Sequence, residues 1–303
     1  MGSPAIRLEG VTKRFGRIRA VEDLDLEVRP GEVLGFLGLN GAGKTTAIRI
    51  LLDLLRPTSG RAFVMGHDCQ TDGIRARARV GYLPGDMGVY GDMTGGALLD
   101  LLARLGRKTN APERRRDLQA RLDLPSADLA RKVREYSGGM KRKLGIIQAF
   151  QSDPDLLILD EPTEGLDPLM QDSFYGILSD ARGRGATVFM SSHVLSEVER
   201  TCDRIALLRE GRLALCDTVE RVRRLAPRRV RVLFDTDVPP PSPDAPPPGA
   251  RWTQIGPRSW SLDADGPLGP LVAALSSLPV IDIEVHEPRL EDVVRGYYRG
   301  DGS

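Results

Sequence analysis

Residues 38–46 read Gly38-Leu39-Asn40-Gly41-Ala42-Gly43-Lys44-Thr45-Thr46, directly after the apolar run Val33–Leu37. The spacing from Gly38 to Gly43-Lys44-Thr45 fits G-x-x-x-x-G-K-[ST], a pattern in which glycines let the backbone curl until successive N–H groups point inward at a phosphate. Lys44 adds a point charge for the outer phosphates, and the Thr45 hydroxyl is a hard oxygen ligand for Mg²⁺. From Lys44 to Leu55 the residues Ile48, Leu51, Leu52 and Leu55 fall on one face, which predicts a helix whose positive N-terminal end also faces the anion.

Upstream, Ile6, Leu8 and Val11, then Val21, Leu24, Leu26 and Val28, alternate as strands, with a turn at Arg29-Pro30-Gly31. Phe15 falls between them, where its ring either stacks on a purine or packs under a hairpin. Downstream, Pro57-Thr58-Ser59-Gly60 reads as a turn, residues 61–65 as a short strand, residues 71–79 as a basic helix and Val80–Pro84 as a buried strand ended by proline. Between about residues 86 and 152 helical spacing takes over: Leu98, Leu99, Leu101, Leu102 and Leu105 form an apolar stripe, and Pro112 opens a second helix. Tyr136-Ser137-Gly138-Gly139-Met140 leads into a helix over 141–151, and small residues there offer backbone N–H groups and a hydroxyl to an anion.

Asp155-Leu156-Leu157-Ile158-Leu159-Asp160-Glu161-Pro162 is the continuous apolar run of a parallel strand buried on both faces, closed by two carboxylates. Ligands of open α/β sheets gather at the carboxyl ends of strands, so Asp160 and Glu161 belong near the phosphate loop. Adjacent strand residues point to opposite sides, which divides the labour: Asp160 toward Mg²⁺ through its water shell, Glu161 toward the water that attacks the terminal phosphate. A further apolar strand, residues 186–190, delivers Ser191-Ser192-His193, and a histidine at that strand end can reach a γ-phosphate.

Composition bounds this reading without deciding it. The 303 residues carry 43 basic and 42 acidic side chains, a net charge of +1, so no global field points to nucleic acid or an anionic membrane. Arg114-Arg115-Arg116 lies beside acids in a helical pattern and reads as a solvated face. Cys69, Cys202 and Cys216 sit in no metal or redox pattern, which suits free thiols in a reducing cytoplasm. No apolar run approaches bilayer length, so a membrane role is expected to come through a partner.

Together, Gly38–Thr45, Ser137-Gly138-Gly139, Leu156–Glu161, Gly165-Leu166-Asp167 and His193 resemble, in that order, the nucleotide-binding subunits of ATP-binding cassette (ABC) transporters, over about residues 5–217. The resemblance implies an α/β fold: a P-loop NTPase core with an antiparallel β subdomain and an inserted helical subdomain, followed by a small α+β accessory domain over 218–303. It implies ATP held by Phe15, Gly38, Asn40, Gly41, Ala42, Gly43, Lys44, Thr45 and Thr46, with Mg²⁺ at Thr45 and Asp160. It makes Glu161 the catalytic base, His193 the switch histidine and Asp167 the residue that communicates across a dimer. Ser137, Gly138 and Gly139 resemble the signature that completes the site of the opposite subunit. A head-to-tail homodimer is therefore expected around ATP, attached through transmembrane permease subunits to the inner face of the cell membrane, with no nucleic acid as partner. Thr163-Glu164-Gly165-Leu166-Asp167-Pro168 and Leu290-Glu291-Asp292-Val293 look like bacterial drug and antibiotic exporters. The alternative is a non-transport ABC ATPase that regulates a nucleic-acid or protein complex, whose usual marks, a long coiled-coil insertion or a strongly basic face, do not occur here.

The family usually has glutamine after the strand ending at Pro84, where this chain has Gly85 and then Asp86. Either Asp86 substitutes near Mg²⁺, or that contact is absent. Met140 and Tyr136 replace a common glutamine and leucine in the signature. In the accessory domain, residues 218–225 read as a helix and 230–234 as a strand. The proline-rich stretch 239–248 reads as an exposed loop, followed by a hairpin around Gly256-Pro257, a helix over 268–278, a strand over 280–285 and a last helix over 290–298. That last helix either docks on the body of the protein or a partner subunit, helping to hold the dimer, or completes its own domain's core.

Overall fold

A strand buried on both faces has no polar side to offer water, and it is stable only between neighbours that are equally apolar. In a computed structural model of the chain, which describes residues 3–86, 91–105, 111–225, 227–238, 250–264 and 266–299, three such strands make the centre. They are β3 (Val33–Leu37), β7 (Leu156–Asp160) and β8 (Thr187–Ser192), buried along their whole lengths. They run parallel, with Leu34 beside Phe189 and Leu159 beside Met190.

In chain order, β1 (Ile6–Phe15) and β2 (Ile18–Val28) precede β3, and α1 (Lys44–Leu51), β4 (Ser59–Val64), β5 (His67–Asp68), α2 (Gly73–Arg77) and β6 (Val80–Leu83) follow it. The helical stretch contains α3 (Gly95–Leu105), α4 (Ala111–Arg121), α5 (Ser126–Leu129), a short 3₁₀ turn and α6 (Gly138–Phe150), before β7, α7 (Pro168–Gly183), β8, α8 (Leu195–Thr201), β9 (Arg204–Arg209) and β10 (Arg212–Thr218). The order β10-β9-β3-β8-β7-β6 forms a six-stranded sheet, and β2-β1-β4-β5 a separate antiparallel sheet of four strands. The chain divides into two compact units, Met1–Asp217 and Thr218–Ser303.

Several local expectations change. Helix α1 ends at Leu51, short of Leu55, because Asp53 takes a left-handed φ of 54° and the N–H groups of Leu54 and Leu55 both turn back to the Arg49 carbonyl. The basic helix is shorter than 71–79, and Ser59-Gly60 already belongs to β4. In α3, Leu98 and Leu99 are buried and Leu102 half-buried, whereas Leu101 and Leu105 face solvent: the leucines occupy two faces, so the apolar stripe is narrower than their number implies. Arg114 and Arg115 are not a solvated face. Arg114 meets Asp117 at 2.6 Å, while Arg115 meets Asp100 of α3 at 2.6 Å and the Gln151 amide at 3.1 Å, fastening α4 to its neighbours; Arg116 alone of the three is exposed.

The second unit contains α9 (Val219–Arg223), β11 (Arg228–Phe234), β12 (Ala250–Gly256), β13 (Ser259–Ala264), α10 (Gly269–Leu275), β14 (Val280–His286) and α11 (Leu290–Arg299). Its antiparallel sheet, in the order β12-β13-β11-β14, places Val230, Val232 and Phe234 with Trp260 and Leu262 on a face covered by Leu271 and Leu275 of α10. The Phe234 and Trp260 rings meet edge to face at 4.6 Å. Helix α11 packs on α9, with Leu290 and Val294 fully buried, which is the behaviour of a helix completing its own domain. The proline-rich stretch 239–248 lies outside the described residues.

Each unit owns a hydrophobic cluster, so a fragment ending at Asp217 should melt cooperatively and retain ATP binding by equilibrium titration; a fragment that collects in inclusion bodies would show that the second unit is needed for folding. Burial pushes the thiols of Cys69 and Cys202 up to about 12. Since an ordinary thiol titrates near pH ~8.5 and only the thiolate is alkylated, both should react about a thousandfold more slowly than a free thiol at pH 8, and faster as pH rises. Mass spectrometry after iodoacetamide treatment of folded and denatured protein measures this; rapid labelling of the folded protein would contradict it.

Candidate functional site

The phosphate loop is shaped by what presses on it. Gly43 takes φ 107°, and a Cβ there would lie 2.1 Å from the Ala20 carbonyl of β2, so no other residue fits. The neighbouring Ala42 carbonyl accepts from the Gly211 N–H at 3.1 Å, at the turn between β9 and β10. The loop is therefore wedged between the antiparallel sheet and the edge of the central one. Lys44 begins α1 and is buried to 6% exposure, with its ammonium donating to the Gly38 carbonyl at 2.5 Å. Asn40, Gly41 and Thr45 are exposed, and Thr46 is half-buried.

Asp160 ends β7 with its carboxylate buried, and Thr45 Oγ1 donates to Asp160 Oδ2 at 3.2 Å. A hydroxyl beside a carboxylate is a hard-oxygen pair that suits Mg²⁺ with phosphate and water as its other ligands. Among the described residues no group of three or more His, Cys, Asp or Glu is placed to hold a metal ion.

Glu161 is not the last residue of the strand, as alternation along β7 led us to expect. It takes a left-handed φ of 50°, at a cost of roughly 1–2 kcal/mol for a residue with a Cβ. Three contacts hold it there. Its N–H donates to Ser191 Oγ at 3.0 Å, one carboxylate oxygen lies 3.3 Å from the Lys44 ammonium, and the other lies 2.7 Å from His193 Nδ1. Lys44, Glu161 and His193 form one set of contacts and Thr45 with Asp160 another, and Ser191, which donates to Asp160 and accepts from the Glu161 N–H, joins the two.

The signature residues lie elsewhere. Ser137 caps α6, its Oγ accepting from the Met140 N–H at 3.2 Å, and a Cβ on Gly139 would come within 3.3 Å of the Gly165 carbonyl. Asp167 caps α7 in the same way, accepting from the Met170 N–H at 3.0 Å. Phe15 ends β1 with 48% of its surface exposed and Lys13 over its ring at 5.1 Å, so it does not pack under the hairpin.

Two residues outside the sequence reading tie these parts together. Arg142, one turn into α6, is 6% exposed and donates to the carbonyls of Pro84 at 2.9 Å, Gly85 at 2.9 Å, Asp160 at 3.4 Å and Glu164 at 3.2 Å. Burial pulls its guanidinium below the ordinary arginine range, and the charges of Glu164, Asp160, Glu161 and Asp86 oppose that. Its spacing of four from buried Ile146 was the available sign that it faces inward. Glu197 of α8, 5% exposed, accepts from Thr163 and, at 2.9 Å, from Ser192 Oγ. It also helps push the Tyr175 hydroxyl up to about 12, behind burial itself. An acid inside a seven-residue helix gives no periodic sign of burial, so nothing in the sequence singled it out.

A Cβ on Gly85 would stand 3.4 Å from Asp160 Oδ2, so this position borders the Asp160 carboxylate even though glycine brings no side chain to it. Asp86 is exposed.

The profile of the family described as ABC transporter matches residues 21–164. The chain is 38% identical over 226 residues to the daunorubicin resistance ATP-binding protein DrrA3 of Streptomyces coeruleorubidus, covering 74% of this chain and 71% of that one. It is 37% identical over 214 residues to the bacitracin transport ATP-binding protein BcrA of Bacillus licheniformis, covering 70% and 69%. Among solved structures, an ATP-binding subunit of an ABC transporter superposes with TM-score 0.69 at 29% identity, over 73% of this chain and 92% of that one. The cassette MJ0796, solved as a post-hydrolysis dimer with ADP and Pi, shares the fold with TM-score 0.64 at 22% identity, over 70% and 98%.

The 3.4 Å approach at Gly85 leaves room for a side chain. Gly85→Gln is expected to fold as the parent does and to lower the Mg²⁺ concentration that half-saturates ATP hydrolysis, because the amide oxygen adds a donor beside Asp160. An unchanged Mg²⁺ curve would mean that the new side chain turns away.

Proposed function

This chain belongs to the ABC transporter family, and on that premise we propose that it is the ATP-binding and hydrolysing subunit that powers export of a drug or antibiotic through separate transmembrane subunits. The observation that carries the chemistry is the Glu161 carboxylate held between Lys44 at 3.3 Å and His193 at 2.7 Å. The likeness to drug-resistance and bacitracin-transport proteins supports export. Among the described residues no helix is long and apolar enough to cross a membrane, so the proposal places the chain at the inner face of the membrane through a permease.

Phosphoryl transfer to water needs positioning and charge neutralisation more than covalent chemistry. The N–H groups of Gly41–Thr45 and the Lys44 ammonium hold the β- and γ-phosphates, and the exposed Phe15 ring is the surface for adenine. Bound Mg²⁺, taken by Thr45 and, through water, Asp160, would neutralise charge on the phosphate oxygens; Asp86 is the further candidate donor. Glu161 accepts the proton of the attacking water as its oxygen bonds to the γ-phosphorus and the bond to the ADP oxygen breaks. His193, whose Nδ1 lies 2.7 Å from the Glu161 carboxylate, faces the γ-phosphate, and a ring N–H is what it can offer to the phosphate oxygens. Ser137, Gly138 and Gly139, at the N-terminus of α6, serve the ATP of a second copy packed head to tail, and Asp167 lies at that junction. MJ0796, which shares the fold, has been solved as a dimer.

Lys44→Ala should abolish tight ATP binding. Glu161→Gln keeps an amide oxygen to accept from Lys44, and should bind ATP normally while losing about a hundredfold or more in turnover and accumulating an ATP-bound dimer on size exclusion. Wild-type hydrolysis by Glu161→Gln at saturating Mg²⁺ would show that Glu161 is not the base.

A further inference from the structure

We propose that Ser191 is a positioning residue for hydrolysis, fixing the Mg²⁺-associated acid and the base relative to each other; this rests on the roles given above to Asp160 and Glu161. Ser191 is fully buried in β8, following Phe189 and Met190, where an unbonded hydroxyl would be costly. Its Oγ donates to Asp160 Oδ1 at 2.6 Å and accepts from the Glu161 N–H at 3.0 Å. The single hydroxyl proton is committed to the carboxylate, and a lone pair to the backbone of the next residue.

Each bond fixes one reacting group. With Oδ1 held by Ser191, the Asp160 carboxylate cannot rotate freely, and Oδ2 stays 3.2 Å from Thr45 Oγ1. The N–H bond anchors Glu161 in its left-handed conformation, from which the side chain reaches both Lys44 and His193. The register supports both at once. Ser191 pairs with Phe36 of β3 on one side and with Asp160 of β7 on the other, so it stands between the strand that feeds the phosphate loop and the strand that carries the acids. A hydroxyl donating to a carboxylate at this length is a strong, charge-assisted bond. A hydrophobic residue could fill the space equally well, but it would leave the Glu161 N–H unpaired and Asp160 free to turn.

The test uses the full chain, with Ser191→Ala and the hydroxyl-retaining Ser191→Thr. Ser191→Ala is expected to fold with a modestly lowered melting temperature and to bind ATP as the parent does, to lose about tenfold to a hundredfold in kcat with little change in KM for ATP, and to need more Mg²⁺ for half-saturation. Ser191→Thr is expected to recover most of the lost turnover. Parental kcat together with a parental Mg²⁺ requirement in Ser191→Ala would overturn the proposal; so would parallel loss of ATP binding and melting temperature, which would make the serine merely structural. Glu161→Gln measured beside them separates the two levels. An active Glu161→Gln removes the assignment of the base itself, whereas an inactive one beside a parental Ser191→Ala removes only the role of the serine.

Discussion

The Asp160 carboxylate is where the parts of this protein are joined. One oxygen takes the Thr45 hydroxyl, which fixes the first turn of α1 against β7, and the other takes Ser191, which fixes β8. Its backbone carbonyl takes Arg142, which brings in α6 and the exit of β6. A carboxylate with 3% exposure is tolerable only if its lone pairs are occupied by such donors, and the donors arrive from separate elements. The phosphate loop, both acids and the first turns of α6 are consequently held by contacts that share one residue.

How much of this was legible depends on whether the signal was local. The loop from Gly38 to Thr45 was plain because glycine at 43 has no substitute: φ is positive and the Ala20 carbonyl occupies the place of any Cβ. The strands β3, β7 and β8 announced themselves as apolar runs, since burial on both faces leaves no room for alternation. Glu161 was placed on the strand because period-two reasoning knows nothing of a left-handed residue stabilised by a serine thirty residues away in the chain. Arg142, Glu197 and Arg114 were misjudged or passed over for the same reason. A charged side chain looks solvated until its partners from other parts of the chain, carbonyls for Arg142, hydroxyls for Glu197 and the Asp153 carboxylate for Arg114, are brought near by folding.

Chemistry and packing are divided unevenly across the first unit. The sheet supplies direction: its parallel strands end together at the phosphate loop and the acids. The helical stretch supplies attachment, and its polar contacts are unusually internal. Arg115 reaches both Asp100 and Gln151, and the Gln151 amide in turn donates to the Leu99 carbonyl at 3.1 Å, so α3, α4 and the end of α6 are cross-linked by polar bonds beside their apolar cluster. Polar bonds demand direction as well as proximity, which favours one arrangement of these helices over a family of similar packings.

The grip of Arg142 on residues 84 and 85 runs entirely through main-chain oxygens. An anchor of that kind is indifferent to the side chains it holds. The segment leaving β6 can therefore carry different side chains, here Gly85 and Asp86, while its path remains the same. Side-chain identity along this short stretch is thereby uncoupled from the placement of Asp160, which is held by hydrogen bonds of its own.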